Sequence, residues 1–169
     1  MDYKLEEQHH LLRLNFAPQH IIDGKVIPAA ISSEDLQRRG YSLDSEILIS
    51  IETLTERAVS QSAKKPEERK SPHISRFLCG EAASIKYDDI YAFNIFYSPV
   101  PEDAEHNTKE NKAHVSLLCT DTSKGPSYYK KAKTLLLPVL QNLITLSNYV
   151  EQFQAKNNPE DEGTVQSSN

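Results

Sequence analysis

Two tripeptides of one type recur in this chain, His73-Ile74-Ser75 and His114-Val115-Ser116. On a β-strand, residues i and i+2 point to the same face, so each tripeptide would set an imidazole beside a hydroxyl. Histidine is the side chain whose charge changes near neutral pH, and it can act as base or acid. Two such pairs facing one cleft would hold a phosphate between two hydroxyls, with one imidazole to take a proton and the other to give one. That is the chemistry of phosphodiester hydrolysis without a metal.

The second tripeptide has the firmer setting. His114, Ser116, Leu118 and Thr120 alternate with Ala113, Val115, Leu117 and Cys119, so one face of this strand is wholly apolar and must be core. The first is less secure. His73, Ser75, Phe77 and Cys79 share a face if a strand begins there, but Pro72 also fits a loop that leads into one. The pair resembles the two-histidine phosphoesterase superfamily, whose members carry two His-apolar-Ser/Thr-apolar motifs on facing strands. That resemblance implies His73 and His114 as acid and base, with Ser75 and Ser116 holding the phosphate. The chain departs from the pattern at Arg76, where an apolar residue is expected, and the segment between the motifs is short for a lobe of that family.

A second pattern covers about residues 10 to 145. Asp23-Gly24, then Ser42-Leu43-Asp44, then Asn111-Lys112-Ala113-His114 resembles small uncharacterised bacterial proteins with a DG turn, a Ser-apolar-Asp helix start and an Asn-x-x-His strand start. It implies no activity, but it groups Asn111 with His114 and leaves His73 out. Asn111 is of a type that orders a loop by bonding its own backbone.

Other constellations are thinner. Cys79 and His114 could pair as nucleophile and base, with no third orienting group evident. His9, His10 and His20 lack an acidic or thiol partner at ligand spacing, so neither a metal nor a cofactor is expected. Asp88-Asp89 reads as a turn. Tyr128, Tyr129, Lys130, Lys131 and Lys133 give one helix a basic, aromatic start, with Tyr128, Lys130 and Lys131 suited to an acidic or phosphorylated partner. The basic run from 64 to 76 reads as a solvated loop.

With 169 residues and 38% hydrophobic content, the chain suits one globular domain, expected over 1–155, with a polar, disordered tail at 156–169. A net charge of -5 argues against nucleic acid as partner, because that needs a basic footprint. Two cysteines in apolar runs suggest free buried thiols in a reducing compartment. The charged N-terminus lacks the apolar stretch of a signal peptide, and no run is long enough to span a membrane, so a cytoplasmic location is expected.

The elements that would carry these residues follow from periodicity. A strand is expected at 10–16, a turn at Asp23-Gly24, and a short helical turn at 33–39 capped by Ser33 and stopped by Gly40. A helix capped by Asp44 should cover 45–63, with Ile47, Leu48, Ile51, Leu54 and Ala58 as its stripe. Strands at 77–87 and 90–97 should form a hairpin, a polar loop should fill 99–112, and a strand should cover 113–120. The last helix, 127–154, should kink or split at Pro138. The expected fold is α+β, an antiparallel sheet of four or five strands on two main helices. The expected function is a non-enzymatic module that binds a protein partner or a second copy of itself. The alternative is the phosphodiesterase or RNA-processing hydrolase described above.

Overall fold

The longest strand, His10–Pro18 (β1), alternates as its sequence predicts, with Leu12, Leu14 and Phe16 on one face and Leu11, Arg13 and Asn15 on the other. The computed structural model of the chain describes residues 2–157. The strands after β1 are Ile21–Ile22 (β2), Lys25–Val26 (β3), Tyr41–Ser45 (β4), Arg69–Leu78 (β5), Lys86–Tyr87 (β6), Ile90–Tyr91 (β7), Phe93–Tyr97 (β8), His114–Cys119 (β9) and Leu143–Thr145 (β10). The α-helices are Ile51–Lys64 (α1), Cys79–Ala83 (α2), Pro126–Leu140 (α3) and Leu146–Asn157 (α4). The fold is α+β. Six strands form one antiparallel sheet in the order β10-β5-β1-β4-β9-β8, and two small ribbons, β2-β3 and β6-β7, stand beside it.

Both faces of the sheet are covered. On one, Leu11, Leu43, Phe77, Val115 and Leu117 pack with Leu136 and Leu140 of α3. On the other, Leu12 and Ile74 pack with Leu54 and Ala58 of α1 and Tyr149 of α4. This second cluster covers the β10-β5-β1 half of its face; on the other half β4 and β9 present Ser42, Asp44, His114 and Ser116, with Leu118 beyond them. Each fully buried leucine contributes about 1.5–3 kcal/mol of transfer free energy. Among the described residues, no helix is long and apolar enough to cross a membrane.

Several expectations are corrected. Asp44 does not cap a helix: β4 runs on to Ser45 because its last residues pair with β1, and α1 starts at Ile51 behind Ser50, whose hydroxyl accepts from Thr53 N–H at 3.1 Å. The basic run 64–76 is not a loop from Arg69 onward. It is β5, which pairs with β1 from His10↔Leu78 to Pro18↔Arg69. The strand expected at 77–87 therefore ends at Leu78, and α2 follows. The hairpin turn at Asp88-Asp89 is present, with both residues in the left-handed region, but it joins only β6 and β7. Past Ala92, β8 leaves this ribbon to pair with β9. The final helix is split, yet Pro138 lies inside α3. The break comes after Leu140, where β10 pairs with β5. Ser32, rather than Ser33, caps the turn at 35–39. The expected tail lies mostly outside the described residues.

The two edges of the sheet differ. β10 has three residues and runs directly into α4. β8 is longer. Ser98 N–H donates to His114 O at 3.0 Å, and Thr120 N–H donates to Ala92 O at 2.9 Å. Residues 92, 94, 96 and 98 therefore turn their backbone toward β9, and Phe93, Ile95 and Tyr97 turn theirs outward. Those outward N–H and C=O groups make no hydrogen bond among the described residues.

Gly40 closes the turn at 35–39. Its φ is +88°, and a Cβ there would lie 3.0 Å from Ser116 Oγ. Strain and contact act together, so Gly40→Ala is expected to lower the unfolding free energy by about 1–3 kcal/mol, measured by urea denaturation. A stability equal to wild type would show that the turn relaxes.

Candidate functional site

β9 sends Val115 and Leu117 into the α3 core and His114 and Ser116 to the opposite face, as alternation predicts. There His114 stands opposite Asp44 and Ser116 opposite Ser42, both on β4. The His114 ring has both nitrogens engaged. Nδ1 is 2.8 Å from Ser98 O, and a carbonyl only accepts, so Nδ1 carries the proton. Nε2 is then an acceptor, and Ser42 Oγ donates to it at 3.1 Å. Ser98 Oγ lies 3.0 Å from Nδ1 and 2.7 Å from the buried Ser116 Oγ.

The order hydroxyl, imidazole, orienting oxygen is that of a nucleophile and its base. The orienting group here is a neutral carbonyl, which brings no negative charge to hold an imidazolium. The nearest carboxylate, Asp44, is turned to other partners. Arg57 on α1 pairs with its Oδ2, and Asn111 Nδ2 donates to its Oδ1 at 2.9 Å. Asn111 Oδ1 accepts from Ala113 N–H at 3.1 Å, so Asn111 ties the 99–112 segment to β9. That segment is itself paired, Val100 with Asn111 and Asp103 with Thr108.

The structure brings Asn111, His114 and Ser116 together and separates them from His73 and Ser75. β5 and β9 have β1 and β4 between them, three strand spacings or about 14 Å. His73 pairs across with Asn15 on one face of the sheet, whereas His114, through Asp44, shares the face of Leu12. The two imidazoles therefore face opposite sides, and a shared cleft is not formed. Ser75 is buried and structural: it accepts from Asn15 Nδ2 and donates to Leu140 O, each at 2.8 Å. His73 Nδ1 is 3.1 Å from Ser71 O.

Cys79 is the first residue of α2 and His114 the first of β9, so the two stand on separate elements. Both cysteines are buried, and burial raises both thiols, Cys119 to about 12, so neither is a thiolate at neutral pH. Among the described residues, no three His, Cys, Asp or Glu side chains converge as metal ligands. Tyr128 is half-buried against Tyr87, with ring centroids 4.9 Å apart, and lines a hollow of about 790 Å³ with Tyr91 and Asp121. Lys130 and Lys131 are exposed and do not line it.

Three residues stand out that the sequence did not assign to a site. Ser42 partners His114. Arg13 fills the opening where β1 and β4 part after two paired positions; its Nη1 donates to Ser42 O at 2.8 Å, and its guanidinium lies 4.5 Å above the Tyr41 ring. Arg69 donates only to amide and carbonyl oxygens of Gln19 and Gln61. No local signal marks the arginines, since their setting depends on strand pairing. Comparison of the chain with protein-family models, curated proteins and solved structures returned no match.

Two predictions follow from this geometry. Removing Asp44 strands Arg57 in a partly buried position, so Asp44→Ala is expected to cost about 3 kcal/mol, with the Asp44→Ala/Arg57→Ala double variant costing less than the sum. Additive losses in urea melts would show the pair to be uncoupled. His20 provides the second. Burial, then the charges of Arg13, Arg69 and Lys65, lower its pKa to about 4, and its Nδ1 accepts from Phe16 N–H at 3.0 Å. The unfolded chain takes up this proton near pH 6.5 and the folded chain only near 4, so the group lowers stability as pH falls through that window and has no effect above it. His20→Asn, which can keep an acceptor for Phe16 N–H, is expected to flatten that limb of the stability–pH curve. An unchanged limb would assign it to other groups.

Proposed function

We propose that this protein is a non-enzymatic protein-binding module that associates through the open edge of β8, with a second copy of the chain as its partner. The unpaired outward backbone of Ile95 and Tyr97, both half-buried where Phe93 is enclosed, carries this reading. An unpaired strand edge is a template for another strand, and proteins that avoid such pairing place lysine, proline or a bulge there. β8, Phe-Asn-Ile-Phe-Tyr, has no charge and no proline.

The strand is also complementary to itself. An antiparallel two-fold through Ile95 sets Ile95 against its own copy, so the N–H and C=O of each Ile95 can bond those of the other. Asn94 and Phe96, the latter 43% exposed, would then meet across the joint. No like charges oppose each other in that pairing. Against the phosphodiesterase reading stand the separation of His73 from His114 and the engagement of both His114 nitrogens.

Sedimentation equilibrium tests the proposal. The wild type is expected to dimerise at micromolar concentration, which corresponds to about 8 kcal/mol of association free energy. Phe96→Lys puts like charges on both sides of the joint, and Ile95→Pro removes an outward N–H that the sheet does not use. Both are expected to be monomers that remain folded by circular dichroism. A wild type that stays monomeric, or a dimer untouched by both changes, rules the β8 joint out.

A further inference from the structure

A groove of about 830 Å³ opens between α1 and the 99–112 segment, over Ser42, Asp44 and His114. A volume of that size suits a small metabolite. One end of it is cationic: Arg13, Lys64 and Arg69 line it beside His20 and Phe16, in a chain whose net charge is -5.

The arginines at this end differ from the others with buried partners. Arg57 is neutralised by Asp44, and Arg76 by Glu46 in a two-pronged contact of 2.6 and 2.9 Å. Arg69 is held as firmly, but by neutral oxygens: Nε donates to Gln19 Oε1 at 2.8 Å, and Nη1 donates to Gln61 Oε1 at 2.7 Å and Gln61 O at 3.2 Å. Arg13 Nη1 likewise donates to a carbonyl, and its buried Nε has no acceptor. Neither guanidinium forms an ion pair among the described residues. These are two oriented cations without counter-charge, held at one end of a groove.

His20 responds to that charge. Its Nδ1 accepts from Phe16 N–H, so the neutral ring carries its proton on Nε2. Burial first, and then the same two arginines with Lys65, keep the ring neutral. The ring therefore offers a donor while adding no charge of its own.

We propose that this end of the groove binds the phosphate of a small phosphorylated metabolite, seated on Arg13 and Arg69 with Lys64 at the rim. Nη2 of each guanidinium is uncommitted and can donate to a phosphate oxygen, and two uncompensated cations match a dianion better than a lone carboxylate. Glu56 and Glu110 line the same groove, so a continuous polyanion such as RNA would meet like charge where a single phosphate group does not. The proposal is independent of the β8 edge.

The probe is inorganic pyrophosphate, titrated by calorimetry and by NMR of the His20 ring, with sodium chloride holding the ionic strength constant. Saturable binding is expected. A bound anion beside the ring favours its protonated form, so the His20 pKa should rise by about one unit or more. Arg69→Gln should weaken binding about tenfold or more, with the fold checked by circular dichroism. Lys64→Gln, on an exposed side chain, should weaken it less and serves as the second variant if Arg69→Gln does not fold. The proposal is overturned if pyrophosphate gives no saturable response, if chloride alone moves His20 equally, or if affinity is unchanged in the folded variants.

Discussion

The carboxylate of Asp44 is the joint on which the polar side of this structure turns. It sits on β4 near the middle of the six-stranded sheet and is almost fully enclosed. A charge in that position is tolerated only if its oxygens are satisfied. Arg57 satisfies one from α1, and Asn111 satisfies the other from the 99–112 segment. A helix, a strand and a long connection are thus fixed to one another by a single side chain. The groove between α1 and that connection exists because Asp44 holds its two walls.

The same commitment decides what His114 can be. A carboxylate directed at its Nδ1 would hold an imidazolium and make Ser42 a stronger nucleophile. Asp44 stands directly opposite yet directs both oxygens elsewhere, and the Ser98 carbonyl takes Nδ1 instead. The ring becomes a bridge between β4 and the end of β8. Charge in the groove is left to Arg13 and Arg69, and each has a structural reason for its place. Arg13 fills the gap where β1 and β4 diverge, and Arg69 stands at the start of β5 where the glutamines of β1's turn and of α1 converge.

How much of this was legible in the chain varies with the range of the interaction involved. The alternation of β9 placed Val115 and Leu117 in the core and His114 with Ser116 on the other face, and the structure keeps that arrangement. The DG turn is present and takes the form of a tight hairpin, with Asp23 and Gly24 both left-handed. Arg76, which breaks the apolar pattern after His73, has a positive role invisible from its neighbours: it pairs with Glu46, and Tyr149 donates to the same carboxylate at 3.1 Å. Asp44 as a helix cap was a sound local inference, since aspartate accepts well from first-turn amides. Pairing with β1 outweighed it, because a strand in the sheet centre satisfies more backbone groups than a cap does.

The sequence by itself determined the α+β class, the apolar and polar faces of β1 and β9, the tight turns, and the buried state of both cysteines. Each of these depends on residue type and on spacing of a few positions, where local sterics and hydrophobic alternation dominate. Only the tertiary structure decided that 69–78 is an interior strand, that the last helix yields to β10 after Leu140, and that β8 ends the sheet. It also set His73 and His114 on opposite faces and drew Arg13, His20 and Arg69 into one groove. Those outcomes depend on which strands lie side by side, and strand order is fixed by burial of the whole core, to which residues far apart in the chain contribute together.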